Sequence, residues 1–188
     1  MDIKQKCIEE YEKIKNLKVV GEKVGIPWQT VYVHLKSAGV NVVGDKKRYG
    51  STSDKLAAKF EEKFKQIVPF AKDNNSSKYQ AKVDFFVGSH SVDVKCAHLK
   101  PAGVQDSGKK FSSRWGYCIN KQKNVADFFV LFALNDDDSV RHIFLMPKEI
   151  AITATTISIP GSMKSKWADY KVSEKELREF FEMLLNAM

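Results

Sequence analysis

An uninterrupted apolar run at residues 128–134, Phe-Phe-Val-Leu-Phe-Ala-Leu, constrains the fold of this chain more than any other segment. A run without polar alternation is typical of a strand that is covered on both faces. Residues 135–139 have the composition of a turn, and the apolar segment 140–146 returns as a neighbouring strand. The run therefore predicts a central strand in a sheet that carries packed layers on each side.

Periodicity elsewhere predicts two domains, the second of which mixes helices and strands. Helices are expected at 2–15, 17–24, 28–38, 53–71 and 174–185, and further strands at 79–87, 91–98, 114–119 and 153–159, the last as an edge strand. The predicted fold class is α/β (α+β). A helical helix-turn-helix domain occupies 1–44, a basic linker 45–52, and a mixed-sheet domain flanked by helices 53–188.

The segment 17–35 matches a helix-turn-helix. Gly21 is small where the two helices cross, and Gly25 supplies the left-handed residue of the turn. The second helix would present side chains suited to base edges and phosphates in a DNA major groove, namely Trp28, Gln29, Thr30, Tyr32, Val33 and Lys36. A phosphate-binding extension is expected in the linker, at Lys46, Lys47 and Arg48. Two alternatives stay open: a three-helix protein-interaction module without DNA contact, and a Trp28 ring that packs on the first helix.

Two acids and a lysine occur on a pair of predicted strands. Asp84 lies in the first strand, and Asp93 and Lys95 lie in the next, after a short turn. Because side chains alternate along a strand, Asp93 and Lys95 share one face while Val92 and Val94 face the core, and Asp84 is expected beside them. Two carboxylates and an ammonium at a sheet edge suit a hard divalent cation next to a phosphodiester. The alternative is an exposed ion pair on an amphipathic strand, with a contribution of ~0–1 kcal/mol.

This order of helix, strand, turn and strand resembles the PD-(D/E)xK nuclease superfamily over residues 53–150. Asp84 takes the place of the first acid, although Val83 stands where the name-giving proline would be, and Asp93-Val94-Lys95 matches the (D/E)xK element. The resemblance implies a restriction-endonuclease-like fold and hydrolysis of DNA with Mg²⁺, or with Mn²⁺ in its place. It implies that Asp84 and Asp93 hold the metal. Lys95 would orient the attacking water or stabilise the developing negative charge.

The resemblance also implies a further acidic metal ligand from the preceding helix, where Glu61 and Glu62 are adjacent. At ~100° per residue, Glu61 falls at the margin of the apolar stripe and Glu62 faces solvent. Glu61 is therefore the expected additional catalytic acid, and its alternative is an ordinary surface glutamate. Arg114 and Lys121 are expected to contact phosphates, in a segment that extends the resemblance toward small restriction-like and intron-encoded homing endonucleases.

Composition narrows the class of protein. The net charge of +8 favours a polyanionic partner, although an acidic membrane surface would satisfy it equally. Three cysteines without a CxxC pair argue against a structural zinc site and for a reducing compartment. The first residues are too polar for a signal peptide, and no apolar run reaches transmembrane length. The sequence therefore predicts a cytoplasmic protein that binds double-stranded DNA and no membrane.

The predicted function is that of a sequence-specific DNA endonuclease of homing or restriction type. A homodimer is the economical design, because one active site serves one strand. The amphipathic C-terminal helix offers a candidate dimer surface, although core packing would also account for its apolar face. Three alternatives stay open: a non-catalytic helix-turn-helix regulator, a DNA junction resolvase or repair nuclease of the same superfamily, and an RNA-processing nuclease.

Overall fold

The computed structural model describes residues 2–42, 51–74, 82–104 and 106–187, which divide into two compact units. The described part of one unit ends at Lys55, and the other unit starts at Leu56. Most of the predicted linker lies outside the described residues, and so do Lys46, Lys47 and Arg48. Within the described ranges, no helix combines the length and the apolar character needed to cross a membrane.

The N-terminal unit contains three helices: α1 (Ile3–Ile14), α2 (Leu17–Val24) and α3 (Trp28–Ser37). The Asn16 side chain accepts hydrogen bonds from the backbone N–H groups of Lys18 and Val19, which starts α2. Gly25 ends this helix with a φ of 76°, as the turn of a helix-turn-helix requires. The core between the three helices is formed by Cys7, Tyr11, Val20, Val31 and Leu35.

Gly21 lies where α2 meets the start of α3. A Cβ atom at this position would lie 2.6 Å from the carbonyl oxygen of Ile26 and 3.2 Å from the backbone nitrogen of Trp28. Both neighbours are backbone atoms, which cannot rotate away as a flexible side chain would. The missing Cβ therefore sets how closely the second helix of the motif approaches the first.

The second unit contains most of α4 and all later elements. In chain order these are α4 (Thr52–Ile67), β1 (Lys72–Asp73), β2 (Phe85–Val87), β3 (His90–His98), β4 (Gly103–Val104), β5 (Lys110–Phe111), β6 (Arg114–Cys118), β7 (Phe128–Leu134), β8 (Val140–Pro147), α5 (Lys148–Ala151), β9 (Thr156–Pro160), a 3₁₀ helix (Lys166–Tyr170), β10 (Lys171–Val172) and α6 (Glu174–Asn186). Six strands form one mixed sheet in the order β1-β2-β3-β7-β8-β10. Strands β3 and β7 are parallel, and the other neighbours are antiparallel. The predicted α+β fold class is confirmed.

The two faces of this sheet are covered by different layers. Helices α4 and α6 contribute Phe60, Phe64 and Phe181 to the core on one face. Strands β6 and β9 pair with each other as a separate sheet, and their side chains pack on the opposite face with Trp167 of the 3₁₀ helix. Strand β7 lies between these layers, so the prediction of a strand buried on both faces is confirmed.

Three predicted boundaries were wrong. The helix expected to reach residue 71 ends at Ile67, because Pro69 disfavours helical geometry in the residue before it. The first predicted strand begins only at Phe85, since residues 82–84 are outside the ladder; residues 79–81 lie outside the described ranges. The strand expected at 153–159 spans Thr156–Pro160 and pairs with β6 rather than extending the main sheet.

The C-terminal helix begins as predicted. Ser173 and Glu176 form a capping box in which each side chain accepts a hydrogen bond from the other residue's backbone N–H. Leu177 and Phe181 are buried in the core, so this part of the apolar face packs within the chain. The homodimer stays a prediction.

Candidate active site

Strands β2 and β3 bring Asp84 next to Asp93. Phe85 and Val92 are the last paired residues at this end of the two strands. Asp84 comes directly before Phe85, and Asp93 comes directly after Val92. The backbone N–H of Asp84 still donates to the carbonyl of Val92 over 3.1 Å. Asn74 holds the same segment, because its amide donates to the carbonyl of Val83 over 3.0 Å. Asp84 is thus positioned by the sheet rather than by a flexible loop.

Where the ladder between β2 and β3 stops, the Asp84 carboxylate provides the next hydrogen-bond acceptor for β3. Its Oδ2 accepts a hydrogen bond of 2.8 Å from the backbone N–H of Val94. That N–H points away from β7, and the carbonyl of the same residue points to the same edge, as in any extended strand. The carbonyls of Val94 and Cys96 therefore share this edge of β3 with Asp84.

Val92 and Val94 face the core on one side of β3. Asp93 and Lys95 project from the opposite face of the same strand. The register aligns Asp93 with Phe129 and Lys95 with Leu131, both of which belong to the core under the β6–β9 sheet. Asp93 is only 2% exposed, and the Lys95 side chain is 21% exposed. Because the acid is buried, the alternative of an exposed ion pair on an amphipathic strand is wrong.

The Lys95 ammonium is the nearest charge to Asp93. Its Nζ lies 2.9 Å from Oδ2 of Asp93, within ion-pair distance. The same oxygen has no hydrogen-bond partner of suitable geometry among the described residues. The ion pair lies at hydrogen-bonding distance although its angles are not those of a well-directed hydrogen bond, and a carboxylate oxygen has acceptor capacity for another ligand as well.

The environment of Asp93 disfavours its charged form. The pKa of Asp93 is raised from an ordinary 3.8 to about 6. Burial is the main cause, and the charge of Asp84 adds to it, while the charge of Lys95 and its hydrogen bond oppose the rise. The half-buried Asp84 therefore repels the buried Asp93, and the charge of Lys95 only partly compensates the cost of burying that carboxylate. Such an arrangement is favourable to a second, bound cation.

This shift has a measurable consequence in the metal-free protein. A raised pKa means that the stability from this group is fully present below pH 3.8 and is lost as the pH rises to about 6. The shift corresponds to roughly 3 kcal/mol. We expect the free energy of unfolding of the wild type, relative to that of Asp93→Asn, to fall across this window in chelator. Denaturant titrations at several pH values measure the difference, and a difference that does not change with pH would contradict the expectation.

The residues present fit Mg²⁺. This ion prefers oxygen ligands and is usually held by one or two carboxylates together with substrate phosphate and water. Asp84 and Asp93 supply the carboxylates, and the carbonyl of Val94 or Cys96 lies at the same edge of β3. Within the described residues, no group of three or more His, Cys, Asp or Glu side chains is placed to hold a metal. A two-carboxylate site does not require such a group.

Glu61 lies on the helix that precedes the two strands of the site. It belongs to α4, whose Phe60 and Phe64 pack on the face that carries Val94. The pKa of the Cys96 thiol is raised to about 11. Burial is the largest cause, and the charge of Glu61 is the next. The charges that shift Asp93 are those of Lys95 and Asp84, and Glu61 is not among them. Glu61 is half-buried and Glu62 exposed, as expected, but a catalytic role for Glu61 stays a prediction.

The predicted DNA-binding side chains fall on both units. The six predicted on α3 are all exposed, namely Trp28, Gln29, Thr30, Tyr32, Val33 and Lys36. Exposure of Trp28 shows that its ring is not packed into the core of the three helices. In the other unit, Lys121 is exposed, and the half-buried Arg114 has its guanidinium 4.6 Å from the centre of the Phe111 ring. These contacts leave DNA binding a prediction.

Sequence reasoning missed two features near β3. His98 Nε2 lies 2.7 Å from Oδ1 of Asp138, and Lys59 Nζ lies 3.3 Å from the other oxygen of that carboxylate. This trio ties α4 to the end of β3 and to the β7–β8 turn, and only the three-dimensional fold reveals it. Tyr117 is buried, and its hydroxyl has no hydrogen-bond partner among the described residues.

Asp127 has a structural role immediately before β7. Its Oδ2 accepts hydrogen bonds from the backbone N–H of Ser91 over 2.8 Å and from the Ser91 hydroxyl over 2.7 Å. These hydrogen bonds lower the pKa of Asp127 against the opposing effect of burial, which is the largest single influence. The acid thus fixes the start of β3 relative to β7, upstream of the two strand residues of the site.

No protein-family model matches this sequence, and a search of curated proteins finds no match.

Proposed function

We propose that this chain is a sequence-specific, Mg²⁺-dependent endonuclease of homing or restriction type, which hydrolyses phosphodiester bonds in double-stranded DNA. The observation that carries the proposal is that Asp84, at the edge of β3, lies beside Asp93 and Lys95 on one face of that strand, with Asp93 buried and its pKa raised. The resemblance of these residues to the PD-(D/E)xK superfamily supports the same reaction. Mn²⁺ is expected to support cleavage in place of Mg²⁺.

Each residue of the site has a distinct role in this proposal. Asp84 and Asp93 would hold the metal, and Glu61 is retained as a predicted additional acid. When bound, Mg²⁺ makes water a stronger nucleophile at neutral pH and neutralises charge on the phosphate. Lys95 places a compact positive charge beside Asp93, where it orients the attacking water or stabilises the negative charge that develops on the phosphate.

The helical unit supplies affinity for the target in this proposal. An exposed recognition helix that follows a tight turn is the arrangement by which helix-turn-helix proteins enter a major groove. Arg114 and Lys121 would add contacts to phosphates, which position DNA without reading its sequence. Cutting both strands at one site requires two active sites, so a homodimer is part of the proposal, and so is a cytoplasmic location.

The test is cleavage of a randomised duplex library by the full chain, with Mg²⁺, with Mn²⁺ and with chelator, followed by sequencing of the ends. Discrete ends that depend on metal are expected. Binding of duplex DNA without any cleavage would favour the non-catalytic regulator instead. A preference for RNA would favour an RNA-processing nuclease, and a preference for four-way junctions would favour a junction resolvase.

Lys95→Ala is expected to reduce Mg²⁺-dependent cleavage about a hundred-fold while duplex binding persists, because loss of one charge-stabilising donor typically has an effect of this size. Lys95→Arg is expected to restore little, since the planar guanidinium does not reproduce a compact ammonium. The measurement is the rate of plasmid cleavage, with gel-shift binding beside it. Lys171→Ala is the matched control, because this lysine is exposed on β10. Equal cleavage by the wild type and Lys95→Ala would contradict the assigned role.

A further inference from the structure

The outward face of α3 is apolar at its centre. Val31 and Leu35 are fully buried and define the inner face of this helix. Val33 is 61% exposed and, at ~100° per residue, points almost directly away from both of them. One exposed apolar side chain is ordinary, but Val33 is exposed on the same helix as the rings of Trp28 and Tyr32, and such a group of apolar side chains is typical of an interaction surface.

The neighbours of Val33 make this face chemically selective. Gln29 lies one helical turn before Val33 and is exposed on the same face. Trp28 and Tyr32, on the adjoining flank, are 47% and 40% exposed. The helix contains no Asp, Glu or Arg, and Lys36 stands with its Nζ 5.8 Å from the centre of the Tyr32 ring. A face with a positive charge, no negative charge and exposed rings complements a polyanion that has apolar groups in its groove.

The major groove offers different partners to different side chains. Adenine is read by the paired donor and acceptor of an Asn or Gln amide, and thymine by apolar contact with its 5-methyl group. Guanine is read chiefly by Arg or Lys, and cytosine by a carboxylate acceptor. Of these groups, α3 presents the amide and the methyls at its centre and has neither Arg nor a carboxylate, and its one lysine, Lys36, is in the last turn. Base edges are contacted chiefly by the N-terminal residues of such a helix, which places Gln29 nearer to the bases than Lys36. The chemistry of the face therefore favours A·T pairs over G·C pairs.

We infer that Gln29 and Val33 are specificity-determining residues that read neighbouring A·T base pairs in the major groove of duplex DNA, the amide of Gln29 contacting adenine and the methyls of Val33 contacting the 5-methyl group of thymine. The inference rests on the DNA binding that is part of the proposed function. Cβ atoms one turn apart on a helix are about 5–6 Å apart. Base pairs are stacked roughly 3.4 Å apart, so the two side chains reach the same or the next pair.

The test uses the full chain in chelator, so that binding is measured without cleavage. Bound sequences are selected from a randomised duplex library, and affinity is then measured for the selected duplex and for the same duplex with deoxyuridine in place of thymine. This exchange removes only the 5-methyl groups. Each contacted methyl is expected to contribute about four-fold in affinity, and Val33→Ala is expected to bind both duplexes equally. Gln29→Ala is expected to lose about ten-fold in preference for A·T over G·C at its position.

Glu12→Gln is the control, because this residue is exposed on α1, away from the outer face of α3. It should leave the selected sequences and the effect of deoxyuridine unchanged. Selected sites without neighbouring A·T pairs, or a deoxyuridine effect that Val33→Ala retains, would overturn the inference. Absence of duplex binding, or tighter binding of RNA, would overturn it as well.

The failure of this inference is distinguishable from failure of the proposed nuclease. Metal-dependent cleavage at sites without A·T pairs would overturn the assignment of Gln29 and Val33 while leaving the enzyme in place. Selective A·T binding without cleavage in Mg²⁺ would support the assignment and remove the nuclease.

Discussion

Replacement of Asp93 by Asn is expected to abolish Mg²⁺-dependent cleavage while leaving the fold and the binding of duplex DNA in place. An amide is a poor ligand for Mg²⁺ compared with a carboxylate, and the substitution removes one of the two carboxylates whose charges act on each other in the candidate site. A metal ion stabilises the charge of such a transition state by several kcal/mol, so we expect a loss of about a thousand-fold or more. The measurement is the single-turnover cleavage rate together with duplex affinity.

The same substitution should have the opposite effect on stability. Since burial raises the pKa of Asp93 to about 6, its charged form is unfavourable in the folded protein at neutral pH. An asparagine side chain has the same shape without that charge, and the Lys95 ammonium retains access to water. We therefore expect Asp93→Asn to unfold at a denaturant concentration equal to or above that of the wild type in chelator at pH 7.

Asp136→Asn is the matched control for this experiment, because it makes the same chemical change at an exposed turn position. It should cleave at the rate of the wild type. A variant at position 93 that is inactive because it is unfolded would not support the assignment, and one that is folded and fully active would exclude Asp93 from the reaction.

The second large effect is expected from Gly21→Ala, which should reduce duplex binding at least ten-fold and destabilise the helical unit. The new Cβ would lie 2.6 Å from the carbonyl oxygen of Ile26, so α3 or its turn must move. Overpacking of this kind costs about 1–3 kcal/mol, which is a large share of the stability of a small unit. Thermal unfolding and gel-shift binding of the full chain measure both effects.

Gly116→Ala is the control, because a Cβ at this position has no neighbouring atom within 4 Å. It should unfold and bind DNA as the wild type does. If Gly21→Ala bound duplex DNA with unchanged affinity, the close crossing of α2 and α3 would not be needed for recognition.

Local patterns predicted much of the fold correctly. The unbroken apolar run of β7 indicated burial on two faces, and the structure covers that strand with helices on one side and the β6–β9 sheet on the other. Gly25 predicted the turn between α2 and α3, and the last helix, expected at 174–185, begins at Glu174. These features succeed because each depends on residues that are close in the sequence.

The candidate site was predictable only in part. Alternation alone placed Asp93 and Lys95 on one face, and the antiparallel register brings Asp84 beside them. The choice of a further acid on α4 required knowledge of the face on which that helix packs. Helix α4 packs on the face of Val94, and the charge of Glu61 acts on the pKa of Cys96, so the role of Glu61 as a further acid stays a prediction.

By itself the sequence determined which residues of β3 share a face, where the helix-turn-helix turns, and which strand lies at the centre of the sheet, because periodicity and glycine conformation act over a few residues. Only the tertiary structure decided that Asp93 is buried. The layer over that face comes from β6 and β9, which are distant in the chain from β3 and pair with each other. Burial is a property of that long-range packing, and burial is what raises the pKa of the carboxyl group on which the proposed chemistry depends.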